Sequence, residues 1–460
     1  MRPYQLCVLP VLLAALVLAG CGAGVDNGGP RREVPGITGS ASPIAAASAE
    51  ATAAEVDYQG WRALRLTNGM VTVVAVPDIG GRIVDYKLGG HPFLWANPAE
   101  SGKTYPAART EADRAYHDFG GYKLWPEGSA RWQGPPDPVG SSLDSGPWVG
   151  KILTASGRNV EVELRSPEDK ATGLQITRNI KLFGASSQVR VTEKITNISS
   201  DTAEWACCGL AQVPGSLESD AAYSEKATLY VPLNPETKHA PGYVTLEQGG
   251  STQLKVLADH LLQVSYQHQD ARLGADTFVG WLAYVDEMHE FAFVQRFAPA
   301  KLADYPDQGS TVTVATSGKA SYMTTGVCTP TRSLRPGESF EMSVDWYATR
   351  VGGPVVDTSD VAAIREPLKV VREGNKTQIT GNLGVFLPGN LAFILQDADG
   401  KAIGQPTTLK VSPAEVVKLA QELPDEAQAK SVLVELQSDT GTPLGEVAKL
   451  SLAVTIAKAQ

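Results

Sequence analysis

The sequence is short of several things, and each shortage excludes something. Five cysteines occur in 460 residues, and none stands in a CxxC or His/Cys spacing, which argues against a zinc site. Six histidines are present, and they show no metal-ligand spacing either. No motif calls for a cofactor. No long basic run occurs, and the formal net charge is −10, so nucleic acid is not an expected partner. Beyond the N-terminal stretch, no apolar run is long enough to cross a membrane as a helix. Convincing amphipathic helical periodicity is absent throughout. Against these absences, 43% hydrophobic and 20% charged residues is an ordinary globular composition. The length suffices for two domains.

The first residues read MRPYQLCVLPVLLAALVLAGC. Arg2 precedes an apolar run from Leu6 to Ala19, which is short and broken by Pro10. A short basic start followed by a short apolar core is a secretory signal. The run ends in Leu18-Ala19-Gly20-Cys21, which resembles the lipobox of bacterial lipoproteins. That resemblance implies cleavage after residue 20 and a lipid on Cys21, so residues 1–21 are read as signal peptide and lipobox. Gly22, where inner-membrane lipoproteins tend to carry Asp, leans by the same resemblance to the outer membrane, facing periplasm or surface. Residues 22–55 are rich in Gly, Ala, Ser and Pro, and are expected to be a flexible tether. Membrane contact is therefore expected through the lipid anchor. Cys7 leaves with the signal, so Cys207, Cys208 and Cys328 remain. Two readings stay open: one of the adjacent pair bridges to Cys328, or all three are buried thiols.

From Tyr58 onward the pattern is almost all strand. Val71–Val76 is β-branched and bounded by Asn68-Gly69 and Pro77-Asp78. Val160–Leu164 and Gln188–Thr196 alternate apolar and polar residues. Further strands are expected at Ala227–Val231, Leu261–Tyr266, Phe278–Tyr284, Phe291–Phe297, Thr311–Ala315 and Phe340–Tyr347. A run of this length predicts a large all-β sandwich over residues 56–350. The pattern breaks at Val351-Gly-Gly-Pro354, and a linker is expected over 351–366. Residues 367–460 predict a small immunoglobulin-like β-sandwich, with Asp397-Ala-Asp-Gly400 as a hairpin turn. Ala414–Leu423 reads as a short helix or one more strand. Few aromatics and no clustered acids mark this second unit as a spacer or contact module.

The segment His117 to Trp148 stands apart. It interleaves Tyr122, Trp125, Trp132 and Trp148 with Lys123, Glu127, Arg131, Asp137 and Asp144, among many Gly and Pro residues. Aromatic faces beside amide, carboxylate and basic groups suit sugar rings, whose C–H face stacks while the hydroxyls pair. The competing reading is a long loop whose aromatics pack on a sheet edge. Lys123, Trp125, Glu127, Trp132, Asp144 and Trp148 are therefore candidate carbohydrate contacts.

A family resemblance joins these stretches. Asn68-Gly69, Pro77-Asp-Ile-Gly-Gly-Arg-Ile83 and Phe93-Leu-Trp-Ala-Asn-Pro98 look like the opening of galactose mutarotases and their aldose-epimerase-like relatives. Gly120–Pro126, Leu143–Trp148, Tyr305–Gly309 and Leu334–Glu338 resemble an uncharacterised bacterial branch of that superfamily. The resemblance covers about residues 57–349. It implies a β-supersandwich with a carbohydrate cleft on one sheet. Mutarotases use a His acid and a Glu base. This chain departs at both places: no His stands in Trp205–Gln212, and Thr324 stands in the late-strand stretch where an acid is usual. His117 and Asp307 are the candidate catalytic replacements. Arg82, Gln212 and Tyr305 join the candidate binding residues. The expected function is an envelope lipoprotein that binds carbohydrate, with altered acid–base chemistry as one form. The alternative is a non-catalytic glycan-binding or structural lipoprotein.

Overall fold

Alternation along the strands decides which side of each is buried. In Leu174–Phe183 every second residue, from Leu174 to Leu182, is buried. The neighbouring strand Val189–Asn197 buries Val189, Val191, Glu193, Ile195 and Asn197 in the same way. The computed structural model describes residues 50–106, 115–127, 142–215, 226–247, 252–300, 304–319, 322–373 and 376–452. Cys21, nearly all of the expected tether and Trp132 lie outside the described residues.

Among the described residues, two large sheets face each other. The first is 13-stranded. Across it run Val244–Glu247, Ala271–Ala275, Val312–Thr316, Tyr322–Cys328, Ala203–Pro214, Tyr122–Glu127, Arg82–Leu88, Val71–Val76, Trp61–Thr67, Ala51–Tyr58 and Ser156–Gly157. The second is 10-stranded, with Phe291–Phe297, Ser339–Arg350, Val189–Asn197 and Leu174–Phe183 at its middle. All neighbours in these sheets pair antiparallel, as in Val189–Asn197 against Leu174–Phe183. The apolar layer between the sheets includes Leu66, Val73, Tyr86, Phe93, Ile180, Phe293 and Trp346. This is the all-β architecture the strand pattern predicts.

One buried polar pair interrupts that layer. Arg178 Nε donates to Glu193 Oε1 at 2.6 Å, and neither side chain is more than 1% exposed. The guanidinium also donates to the Gly81 carbonyl on the first sheet, and it lies over the Tyr122 and Trp148 rings. The ion pair therefore ties the second sheet to the segment that enters Arg82–Leu88.

Two expected boundaries are corrected. The tether was expected to reach residue 55, but a strand begins at Ala51, paired to Trp61–Thr67. Alternate residues Ala51 and Ala53 are buried, which is enough to hold it in the sheet. Residues 351–366 are not a loose linker. Val351 and Val355 are fully buried with Tyr230, Trp281 and Phe386, and a strand starts at Ala362. The Tyr347 and Phe386 rings stack at 4.4 Å, and the Phe386 carbonyl accepts from Ser187 N–H. Beyond this point two four-stranded sheets enclose a second apolar layer that includes Ile379, Leu391, Phe393 and Val434. Val417–Leu423 is a strand, which settles the helix-or-strand alternative. Cys208 and Cys328 stand opposite each other on paired strands and form a disulfide, while Cys207 points the other way as a buried thiol.

Candidate functional site

The outer face of the first sheet carries the polar and aromatic residues. The aromatic segment is not wholly a loop: Tyr122–Glu127 is a strand within the sheet. Alternation sends Tyr122 and Leu124 into the interior and leaves Lys123, Trp125 and Glu127 on the outer face. Register sets their neighbours. Lys123 stands beside Leu210 and Trp125 beside Cys208. Gln212 stands beside Thr324, and Leu210 beside Gly326.

A cavity of about 200 Å³ opens over these strands. Trp125, Tyr116 and Tyr322 supply aromatic walls, and Lys123, Gln212 and Thr324 supply polar groups. Asp118 holds two of the lining groups in place. Its Oδ1 accepts from Gln212 Nε2 at 3.0 Å, and its Oδ2 accepts from the Tyr322 hydroxyl at 2.7 Å. Burial first, then Tyr116 and Asp118, push the Tyr322 phenol above its ordinary value, so it stays a hydrogen-bond donor. The Tyr322 ring packs on Trp95 at 4.3 Å between centroids.

Lys123 is set by a second carboxylate. Its Nζ donates to Asp144 Oδ1 at 2.8 Å and lies 4.4 Å from the centre of the Trp125 ring. Arg82 donates to the same Asp144 oxygen at 2.8 Å, and to the Gly120 carbonyl at 3.1 Å. Burial lowers the Lys123 pKa, and Asp144 opposes that shift. Two sequence motifs meet here. Gly80 has φ of 76°, and a Cβ there would collide with the Asp144 backbone. Only glycine admits the Leu143–Trp148 turn so close to Gly80.

A third group of charges shares this face. Asp307 lies in a short turn, and its Oδ2 accepts from Arg272 at 2.9 Å. Two residues earlier, Tyr305 packs on the Cys208–Cys328 disulfide together with Leu210, which lines the cavity. Glu127 feels both charges. Burial, then the Asp307 charge, raise its carboxyl to about 7, against the opposing pull of Arg272. Among the described residues, no group of three or more His, Cys, Asp or Glu side chains is placed to hold a metal ion. Among them, no helix is long and apolar enough to cross a membrane.

Of the expected binding residues, Lys123, Trp125 and Gln212 line the cavity. Others do not reach it. Trp148 is 4% exposed and packs in the interior, with its indole N–H donated to Ser142 O, so the expectation of a sugar platform there is corrected. Its turn is anchored by Gly80 and Arg82, which draw the ring inward. Arg82 and Asp144 are also buried and ion-paired, so they position Lys123 rather than face a ligand. The Tyr305 hydroxyl accepts from Ala300 N–H, and its ring covers the disulfide. His117 stacks on Tyr105 at 3.5 Å and neighbours Phe119, away from the cavity lining, so it is not placed as an acid there. Tyr116, Leu210 and Tyr322 went unread as site residues. The available signal was alternation: Tyr322 and Thr324 share the face that Gln212 faces across the strand pair.

No family model matches the chain, and no curated protein matches it. The chain is similar to solved structures of galactose mutarotase-like proteins. One, from Clostridium acetobutylicum, is 12% identical and has a TM-score of 0.42, covering 65% of this chain and 98% of its own. Another, from Lactobacillus casei, is 10% identical with a TM-score of 0.43, covering 62% of this chain and 99% of its own. A TPR-domain containing protein from Parabacteroides distasonis is 13% identical with a TM-score of 0.44, covering 68% of this chain and 50% of its own.

Proposed function

We propose that the protein binds a neutral sugar ring in the cavity over Tyr122–Glu127, Ala203–Pro214 and Tyr322–Cys328, and that a lipid on Cys21 tethers it in the cell envelope. The observation that carries the binding reading is the cavity lining. Trp125 and Tyr322 offer ring faces, and the Gln212 amide and Thr324 hydroxyl stand between them. Asp118 orients two of these groups in advance, which lowers the ordering cost of binding. At about 200 Å³ the cavity is smaller than the roughly 300–1,000 Å³ of drug-sized sites. That suits one small polar ring. The nearby charges cancel in number, with Lys123 and Arg82 both on Asp144 and Asp118 the second carboxylate, which favours an uncharged ligand.

Titration calorimetry against a monosaccharide panel tests this. Trp125→Ala and Tyr322→Ala should each weaken binding at least tenfold, about 1.4 kcal/mol. Equal affinity in both variants would remove the stacking site. Export and lipidation are checked separately, by labelling with a fatty-acid analogue and loss of the label in Cys21→Ser.

One observation favours chemistry on the bound ring. Glu127, not itself part of the cavity lining, has its carboxyl raised to about 7 and shares the outer face of its strand with Trp125, two residues away. A carboxyl in that range can give or accept a proton at a sugar oxygen. Anomer exchange followed by NMR should then fall as pH rises through about 7, and Glu127→Gln should abolish that pH dependence. No rate above buffer ends this second reading. The same shift has a stability consequence. The folded state holds the Glu127 proton more tightly than the unfolded chain, so its contribution to stability is present below about 4.5 and is lost as pH rises to about 7.

A further inference from the structure

A second cavity, of about 280 Å³, lies on the same outer face. It opens over Arg82–Leu88, the strand hydrogen-bonded to Tyr122–Glu127 in the same sheet. We propose that it is a second sugar subsite, so that the ligand is an oligosaccharide whose first and third units lie on either side of the Leu94–Pro98 segment, the second crossing over it. The proposal rests on the sugar reading of the first cavity.

The Leu94–Pro98 segment is the partition between the two cavities. Leu94, Ala96 and Pro98 line the second cavity. Trp95, on the alternate side, packs on Tyr322 of the first. The segment is bonded to the groups that build the first cavity: Trp95 N–H donates to Gln212 O at 2.8 Å, and Asn97 Nδ2 donates to Asp118 O at 2.8 Å. One extended segment is about 5 Å wide in a sheet. Rings on its two sides are therefore about two such widths apart centre to centre, roughly 10 Å, which is two repeats of linked sugar rings, so one intervening unit bridges them.

The lining of the second cavity has the same mixed character. Tyr58 contributes a ring, and Pro92 and Leu94 contribute apolar surface. Asp85 is 4% exposed and accepts from the Tyr58 hydroxyl at 3.1 Å and from Lys87 at 3.0 Å. Burial raises its carboxyl, and Lys87 and Tyr58 oppose that. The result is a carboxylate, an ammonium and a phenol held together beside apolar carbons, with opposite charges paired. That combination pairs with hydroxyls and packs C–H faces. Lys87 is about one-third exposed, so its ammonium reaches solvent and ligand from the rim.

The test is calorimetric titration of the full chain with glucose, galactose, mannose and xylose and with their linked di- and trisaccharides. The best oligosaccharide should bind at least tenfold tighter than its own monosaccharide. Lys87→Ala, and Ser101→Trp as a cavity-filling variant on the rim, should erase that gain and leave monosaccharide affinity unchanged. Thermal melts of both variants confirm that they fold. Equal affinity for monosaccharide and oligosaccharide overturns the second subsite alone. So does a chain-length gain that survives in both variants. Absence of binding by every sugar overturns the first cavity's reading, and this one with it.

Discussion

Glu193→Gln should lower the unfolding free energy by about 3–5 kcal/mol, because it leaves the Arg178 charge buried without its partner. Arg178 and Glu193 are enclosed between the two sheets, where water cannot replace a lost carboxylate. The guanidinium cannot retreat to the surface, since it is also bonded to Gly81 O and covered by Tyr122 and Trp148. Urea unfolding measures the effect as a shift in midpoint at constant slope. The double change Arg178→Met with Glu193→Leu should recover most of the loss, because apolar side chains of similar size need no partner there. A single variant as stable as the parent would show that the pair is not carrying charge in the interior.

Asp144→Asn should be as costly, and it should also reach the site. One Asp144 oxygen accepts from both Arg82 and Lys123, with its own side chain fully buried. Asparagine of the same shape offers a neutral acceptor to two cations. Loss of about 3 kcal/mol or more is expected in the same urea experiment. Lys123 then loses the contact that holds it over the Trp125 ring, so sugar affinity should fall as well. Trp125→Ala is the comparison. Its ring lies on the outer face, so it should weaken binding and shift the midpoint little. If Asp144→Asn changes neither quantity, the buried network does not position the cavity.

The strand architecture was readable because apolar alternation is a local signal. Val71–Val76 and Phe291–Phe297 coincide with their expected bounds. Tyr122–Glu127 was hidden by its composition. Gly120-Gly121 before it and the Pro-rich stretch after it read as loop, while the strand itself is held by pairing with Ala203–Pro214. Residues 351–366 looked like a linker for the same reason. Gly and Pro describe how the chain bends, and burial of Val351 and Val355 depends on a surface supplied by distant segments.

Three candidate contacts, Lys123, Trp125 and Gln212, were legible from residue type and position. Trp148 and Arg82 belong to the same motifs, but motif membership does not say which way a side chain faces. Trp148 turns inward because Gly80 lets the Leu143–Trp148 turn approach the sheet closely. Asp118 gains its role only when Gln212 and Tyr322, 94 and 204 residues away in sequence, are brought to it.

By itself, the amino-acid order determined the all-β class, the division of residues between interior and surface along each strand, and the segment where aromatics and charges concentrate. These follow from periodicity and composition, which are properties of neighbours in sequence. Register between strands decided the rest: the choice of Cys208 for the disulfide, the burial of Arg178 against Glu193, and the two cavities on one face. Those depend on which residues stand opposite one another across a sheet, and packing fixes that only when both sheets are in place.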